Sequence, residues 1–403
     1  MKRGWQTKKI GDVCHVMTGG TPSKAKQDYF GGEIKWLVSG DINQGEIFDC
    51  EGRITETGMK NSNAKLLPIN SVMIALNGQG KTRGTVALLR TEATCNQSLV
   101  SIYPKEPQKL LPEYLFANLH GRYQEIRRMT GDSGNDRRGL NMGLVKSIDI
   151  PIAPLPEQQR IVGILDEAFD GIATAKANAE KNLQNARTLF ESYLQSVFTR
   201  RGEGWVEKRK PLADLCELIV DCEHKTAPTQ VEGIPSIRTP NIGKGKLLLD
   251  GVNRVSKKTY TEWTRRAEPA AGDLILAREA PAGNIAVIPE NLPLCLGQRT
   301  VLIRPKHYVF DSEFLAMLLL QPAMQRKLLA HSRGATVQHV NMKDIRALNV
   351  DAVPPLAEQR SMVSKLTSVS TKSEKLVSIH QRKLAALDEL KKSLLHKAFS
   401  GRL

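Results

Sequence analysis

Residues 1–200 and 201–403 carry one sequence skeleton twice. Gly4-Trp5 returns as Gly204-Trp205, Cys95 as Cys295, Gln97 as Gln298, Glu113-Tyr114-Leu115 as Glu313-Phe314-Leu315, and Asn141-Met142 as Asn341-Met342. Pro154-Leu155-Pro156-Glu157-Gln158-Gln159-Arg160 returns as Pro354-Pro355-Leu356-Ala357-Glu358-Gln359-Arg360, and the offset stays within about two residues of 200 throughout. Solenoid units repeat every 20–50 residues or so, which rules that architecture out. What repeats is a whole domain with a helix attached. Two such units make a pseudo-twofold molecule, a shape suited to a two-part target.

Each half opens with about 150 residues of short apolar, β-branched runs separated by turn signals. Residues 71–76 and 273–277 read as buried strands; residues 99–103 and 300–303 follow as strands closed by Pro104 and Pro305. Gly19-Gly20-Thr21-Pro22 and Gly31-Gly32 mark loops. Helices are expected near residues 113–129 and 312–332. This is an α+β pattern, with helices toward the C-terminal side of each domain.

Each domain ends at a proline cluster (Pro151, Pro154 and Pro156; Pro354 and Pro355) and passes into a long helix. In the first, Ile161, Leu165, Ala168, Ile172, Ala175 and Ala179 step by 4 and 3. Leu183, Ala186, Phe190, Tyr193 and Val197 continue after a four-residue stutter. The second shows Met362, Leu366, Val369, Leu376, Ile379, Leu387, Leu390 and Leu394, with Ser373 and Lys383 weakening the seam. Forty residues span roughly 60 Å. A helix that long leaves its stripe in water unless it finds a partner. The expected partner is the other copy, packed antiparallel; packing of each helix on its own domain stays open. The expected boundaries are 1–156 and 204–353 for the domains, 157–203 and 354–403 for the helices.

The net charge is +16 over 403 residues. Residues 1–156 carry 21 basic and 15 acidic side chains, and residues 204–353 carry 21 and 16. Both domains are therefore basic, as expected of proteins that dock on phosphate. No apolar run reaches the roughly 18 residues of a membrane span, and no apolar segment follows the basic Met1-Lys2-Arg3 as a signal peptide would need. Six scattered cysteines form no CxxC pair. Cys14/Cys216 and Cys95/Cys295 read as small buried hydrophobes in a reducing cytoplasm, without structural zinc.

Catalytic motifs fail on inspection. Gly80-Lys81-Thr82 resembles the end of a phosphate-binding loop, but that loop needs a glycine where Ala75 stands. Asp166-Glu167-Ala168 lies within the coiled-coil pattern as a solvated face. The chain contains no Asn-Pro-Pro-Tyr or Asp-Pro-Pro-Tyr tetrapeptide of an adenine methyltransferase. His331 and His339 lack a carboxylate at metal-ligand spacing. The expectation is no catalytic centre, no cofactor and no metal.

The proline-flanked helix starts, the helix ends Leu194-Gln195-Ser196-Val197-Phe198 and Leu394-Leu395-His396-Lys397-Ala398-Phe399-Ser400-Gly401, and Gly19-Gly20-Thr21-Pro22-Ser23-Lys24 followed by Asp28-Tyr29-Phe30-Gly31-Gly32-Glu33-Ile34-Lys35-Trp36 together resemble the DNA-specificity subunits of type I restriction–modification systems. The resemblance covers the whole chain. It implies two target recognition domains, each reading half of a split DNA sequence. It also implies two long antiparallel coiled-coil helices that hold them apart and dock modification subunits, two of them expected. Restriction subunits would join through the complex. The second copy departs from the pattern: it lacks the second glutamine of Gln158-Gln159, and Asp221-Cys222-Glu223-His224-Lys225-Thr226 replaces the Gly-Gly-Thr-Pro loop. That points to two domains of different preference, hence an asymmetric target. The competing class is a self-sufficient nuclease or methyltransferase with its own recognition domains.

Candidate DNA contacts come from polar and basic loops. In the first domain they are Thr21, Ser23, Lys24, Lys26, Lys81, Arg83, Asn135, Arg137, Arg138 and Asn141. In the second they are Lys225, Thr226, Arg238, Asn241, Lys244, Arg278, Arg333, Thr336, Gln338 and Asn341. Arg and Lys bond phosphate or guanine, and Asn and Gln pair with adenine edges. For Asn141 and Asn341, a turn-capping role competes with base contact.

Overall fold

The computed structural model describes residues 4–78, 81–130, 139–200, 202, 204–330 and 338–403. It divides into two compact units: Met1–Ala179 with Arg382–Leu403, and Glu180–Gln381. Each unit therefore holds one strand-rich domain, part of the 45-residue helix Leu155–Thr199 and part of the 44-residue helix Leu356–Phe399.

Among the described residues the two domains share one sheet topology. In the first unit a five-stranded sheet runs Cys14–Thr18, Leu99–Pro104, Val72–Ala75, Val86–Leu89, Glu46–Ile47. All its pairs are antiparallel except the last. A three-stranded sheet places Phe30–Leu37 between Arg53–Ile54 and Thr94–Cys95, the latter pair parallel. Gln6–Lys9 pairs with Asp149–Ile152 and ties the two ends of the domain together. The second unit repeats all three: Cys216–Asp221, Thr300–Pro305, Leu274–Ala277, Ile285–Val287, Lys244–Gly245; then Arg254–Val255, Ile234–Ile237, Cys295–Leu296; then Val206–Pro211 with Asn349–Val353.

The apolar runs lack polar alternation because the large sheets are covered on both faces. Val72 and Ile74 face one core cluster, while Met73 and Ala75 face another. Leu274 and Leu276 against Ile275 and Ala277 do the same in the second unit. All six cysteines are free and buried. Burial pushes the thiols of Cys14, Cys95 and Cys216 up to about 12 and that of Cys295 up to about 11, so they behave as small apolar groups. The helices expected near 113–129 and 312–332 each split in two. Pro322 starts Pro322–Leu329 after Ser312–Leu320, and Pro112–Gly121 gives way to Tyr123–Arg128 at Arg122.

The helix starts explain their own sequence. Gln158 is fully buried; its Oε1 accepts from Leu111 N (2.9 Å) and its Nε2 donates to Lys109 O (2.8 Å) and Ala153 O (2.7 Å). Gln359 is equally buried, accepting from Asp311 N (2.8 Å) and donating to Val309 O and Pro354 O (2.8 Å each). Each amide stitches the first turn of a long helix to the loop before the domain's own short helix. Gln159, the glutamine absent from the second copy, is exposed.

Within each unit the two helix segments run antiparallel. In the first, Arg160 donates to Leu403 O, Lys391 lies over the Phe169 ring (4.6 Å), and Lys176 pairs with Asp388 (2.7 Å). In the second, Ser373 Oγ donates to Ala186 O. The helices also pack on the domains, so both expected modes occur together. Leu395, Ala398 and Phe399, from the end of the second helix, join the core of the first domain with Ile161 and Leu165. Leu194 and Phe198, from the end of the first helix, join the core of the second with Leu366. Phe399 meets Tyr114 edge-on at 5.2 Å, and Phe198 meets Phe314 at 5.4 Å.

The seam expected in the first helix is the face that is covered. The second helix departs from expectation. Leu376, Ile379 and Leu390 are 39%, 39% and 47% exposed. The covered face runs instead through Leu366, Ser370, Ser373, Val377, His380, Leu384, Leu387, Lys391, Leu394 and Ala398, an unbroken 4,3 spacing. Small residues sit where backbones come close, as Ser373 does against Ala186, and choosing the nearest leucine or isoleucine at each turn slips the stripe by one position.

Candidate nucleic-acid interface

The strand registers gather several loops at one end of each large sheet. In the first domain Thr18 pairs with Val100, Ala75 with Leu99, and Ile74 with Val86. The chain segments 19–29, 76–78, 81–85 and 96–98 therefore all lie at the same end, and Leu140 N bonds Leu76 O (2.9 Å) to bring a further segment there. The second domain repeats this: Asp221 with Val301, Ala277 with Thr300, Leu276 with Ile285, and Val340 N on Arg278 O (2.9 Å). The parallel pairing of Ile237 with Leu296 adds Arg238 to that end.

In the first domain the segments 19–29 and 96–98, with the strand Phe30–Leu37, line a groove of about 790 Å³ that Thr21, Lys24, Phe30, Trp36 and Gln97 border. Glycine is required at 19 and 20: a Cβ on Gly19 would lie 1.8 Å from Cys95 O, and one on Gly20 2.7 Å from Asn63 C. The close approach lets Trp36 Nε1 donate to Gly20 O (2.9 Å) and Thr21 Oγ1 donate to Gln97 Oε1 (2.5 Å). Ser23, Lys24 and Lys26 are exposed on the same loop. Lys26 donates to the Tyr29 hydroxyl (3.1 Å), which raises its pKa and keeps it charged. Lys81 is exposed, its backbone carbonyl held by Tyr123 and Thr85. Arg83 is buried.

In the second domain the corresponding end is a charged network. Arg278, 9% exposed, donates Nη1 to Asp221 Oδ2 (2.7 Å), Nε to Val340 O (2.9 Å) and Nη2 to His339 Nε2 (3.0 Å). An arginine has only donors, so His339 accepts at Nε2 and its Nδ1 proton goes to Glu279 Oε1 (2.7 Å). The other oxygen of Glu279 takes Arg299 Nη1 (2.8 Å). His224 lies on Asp221 (3.2 Å), and Gln298 Nε2 donates to His224 O (3.1 Å). Arg278 thus binds three segments of its own domain together instead of facing solvent. Lys225, Thr226 and Gln338 are exposed at the same end.

Other candidates serve local structure. Asn141 caps the helix Met142–Ser147, accepting from Leu144 N (2.9 Å); Asn341 starts Met342–Ala347 and contacts Asp344 (3.3 Å). Asn241 pins its loop through Arg238 N and Leu248 O. Lys244 pairs with Glu191 (2.7 Å). Asn135, Arg137, Arg138, Arg333 and Thr336 lie outside the described residues. Glu279, His339, Arg299 and Gln97 also lie in this region and are not among the contacts expected from the sequence. Of these, Gln97 alone carries a sequence signal, its recurrence as Gln298.

The sequence model of the family described as "Type I restriction modification DNA specificity domain" matches residues 2–184 and again 203–387. Among characterised proteins, the EcoR124I/EcoR124II specificity subunit of Escherichia coli is 28% identical over 198 residues, spanning 48% of either chain. The MjaIX specificity subunit of Methanocaldococcus jannaschii is 23% identical over 436 residues, spanning 100% of this chain and 94% of that one. A chain from a structure of the type I R-M system, concerned with complex assembly and conformational transition, superposes with TM-score 0.76 at 19% identity, covering 100% of this chain and 99% of that one. The HsdS subunit of Thermoanaerobacter tengcongensis superposes with TM-score 0.63 at 18% identity, covering 100% and 98%. Both structures share the fold described above.

Proposed function

The chain belongs to the type I restriction–modification DNA specificity family, whose domain it carries twice, and we propose that it is the noncatalytic subunit that directs methylation and restriction to a bipartite, asymmetric DNA sequence. Its partners are double-stranded DNA, two modification subunits and, through them, restriction subunits, assembled in the cytoplasm. Residues 1–156 and 204–353 act as the two target recognition domains, and 157–203 and 354–403 as the helices between them. Among the described residues no helix is long and apolar enough to cross a membrane.

One observation carries the reading. In both domains the same sheet end collects exposed polar and basic side chains: Ser23, Lys24, Lys26 and Lys81 in one, with Thr21 half-buried beside them, and Lys225, Thr226, Arg238 and Gln338 in the other. A cationic rim around polar loops is what phosphate docking and base readout need together. The rims differ in residues: a groove lined in part by Phe30 and Trp36 in one domain, an Asp–Arg–His–Glu network in the other. Two different sites read two different half-targets.

The test is methylome sequencing of a host carrying the chain with its modification subunits. A split motif with unlike halves is expected. Exchange of residues 1–150 for a relative's domain should change one half and leave the other intact. Loss of both halves in a folded chimera would rule out independent readers.

A further inference from the structure

We propose that the short loop entering the interior strand next to the edge of each large sheet carries a base-reading side chain: Gln97 in the first domain and Arg299 in the second. The proposal rests on the reading of the chain as a DNA specificity subunit and adds which residues discriminate and for which base.

Position comes first. Leu99–Pro104 and Thr300–Pro305 lie between two neighbours in their sheets, so the loops before them sit inside the interface end and not at its margin. Both residues are exposed there.

The second observation is how they are held. A base reader has to be accessible yet fixed, because ordering a long side chain on binding costs affinity. Gln97 is fixed by Thr21 from the neighbouring loop. Arg299 is fixed by Glu279, itself only 17% exposed and locked by His339. The Arg299 backbone is anchored as well: its φ is +66°, and its N–H donates to Cys222 Sγ (3.1 Å). Arg278, beside it, has its donors committed to protein acceptors and so acts as a positioning residue. Lys24 and Lys225 are compact charges on flexible stems, which suits phosphate.

The remaining chemistry selects the base. With Nη1 on Glu279, Arg299 keeps Nε and Nη2 as donors, the complement of guanine O6 and N7. Gln97 keeps its NH2 donors and the second lone pair of Oε1, the complement of adenine N7 and N6.

The test uses the full chain with its modification subunits, and reads the methylation motif of the host genome. Arg299→Ala and Arg299→Lys should relax one guanine position in the second half-target, lowering discrimination there by about ten- to a hundredfold. The first half-target should stay as it was. Gln97→Ala should relax one adenine position in the first half-target alone. Glu279→Gln should loosen the same position as the Arg299 variants, to a smaller degree. Melting of the complexes checks folding, and Arg299→Lys, which keeps charge and length, stands in if the alanine variant does not assemble. An unchanged motif, relaxation in both halves, or weakening equal for all sequences (the mark of a phosphate contact) would overturn the proposal. A wild-type complex that yields no motif would instead remove the parent reading, and this assignment with it.

Discussion

Gln158 and Gln359 make the same three hydrogen bonds in the two halves, one accepted and two donated, at distances from 2.7 to 2.9 Å. The helix-start motif is therefore a joint. It fixes the angle at which each helix leaves its domain, and its function is met inside the protein.

Breaking that joint should cost stability. Gln158→Leu strands Leu111 N, Lys109 O and Ala153 O in a dry site, and the loss should be about 2–5 kcal/mol. Gln159→Leu, on the exposed side, should change stability by less than about 0.5 kcal/mol. Urea unfolding of the two variants decides; equal midpoints would refute the clamp.

Arg278 and Lys81 should separate structure from binding. Arg278→Met leaves Asp221, Val340 O and His339 without their donor and should destabilise the second unit by about 2–3 kcal/mol. Lys81→Ala should leave the melting temperature unchanged and weaken DNA binding by a similar factor on every sequence. A thermally silent Arg278→Met would mean the network is not structural.

DNA binding by the assembled complex should fall linearly in log affinity with log salt, because lysines on the rim displace condensed counterions. Lys24→Ala and Lys225→Ala should each reduce the slope by about one. A salt-independent affinity would remove the electrostatic argument.

His120 gives a pH signature. Burial, with Lys391 nearby, lowers its pKa below the ordinary 6.5. Its folded form prefers the neutral ring, so the unfolded chain binds the extra proton first. Stability contributed here is full above 6.5 and declines as pH falls from 6.5 toward the folded value. His120→Gln should flatten that limb of a stability–pH curve; an unaltered limb would assign it to other groups.

Much of this was legible in sequence for a physical reason. Runs such as Val72–Ala75 and Leu274–Ala277 are buried on both faces and so are apolar at every position. The first helix announced its seam because Ile161, Leu165 and Ile172 fill it. The middle of the second helix was misread because Ser370, Ser373 and His380 hold the inward positions, while Leu376 and Ile379 point out. At the interface, charge alone nominated Arg278 and Arg83, both buried. What distinguishes a buried tie from an exposed, held side chain is the partner across the fold. For Arg278 those partners are Asp221 and His339; for Arg299 it is Glu279. Such pairings between distant segments leave no local trace.

The packing of Leu395, Ala398 and Phe399 into the first domain's core has a consequence for synthesis. The first domain leaves the ribosome about two hundred residues before the segment that completes its core. At about 5–20 residues per second, that is a wait of roughly 10–40 s with apolar surface uncovered. Loss of residues 394–399 would leave that surface uncovered, so a lesion late in the second helix should be felt first in the first domain.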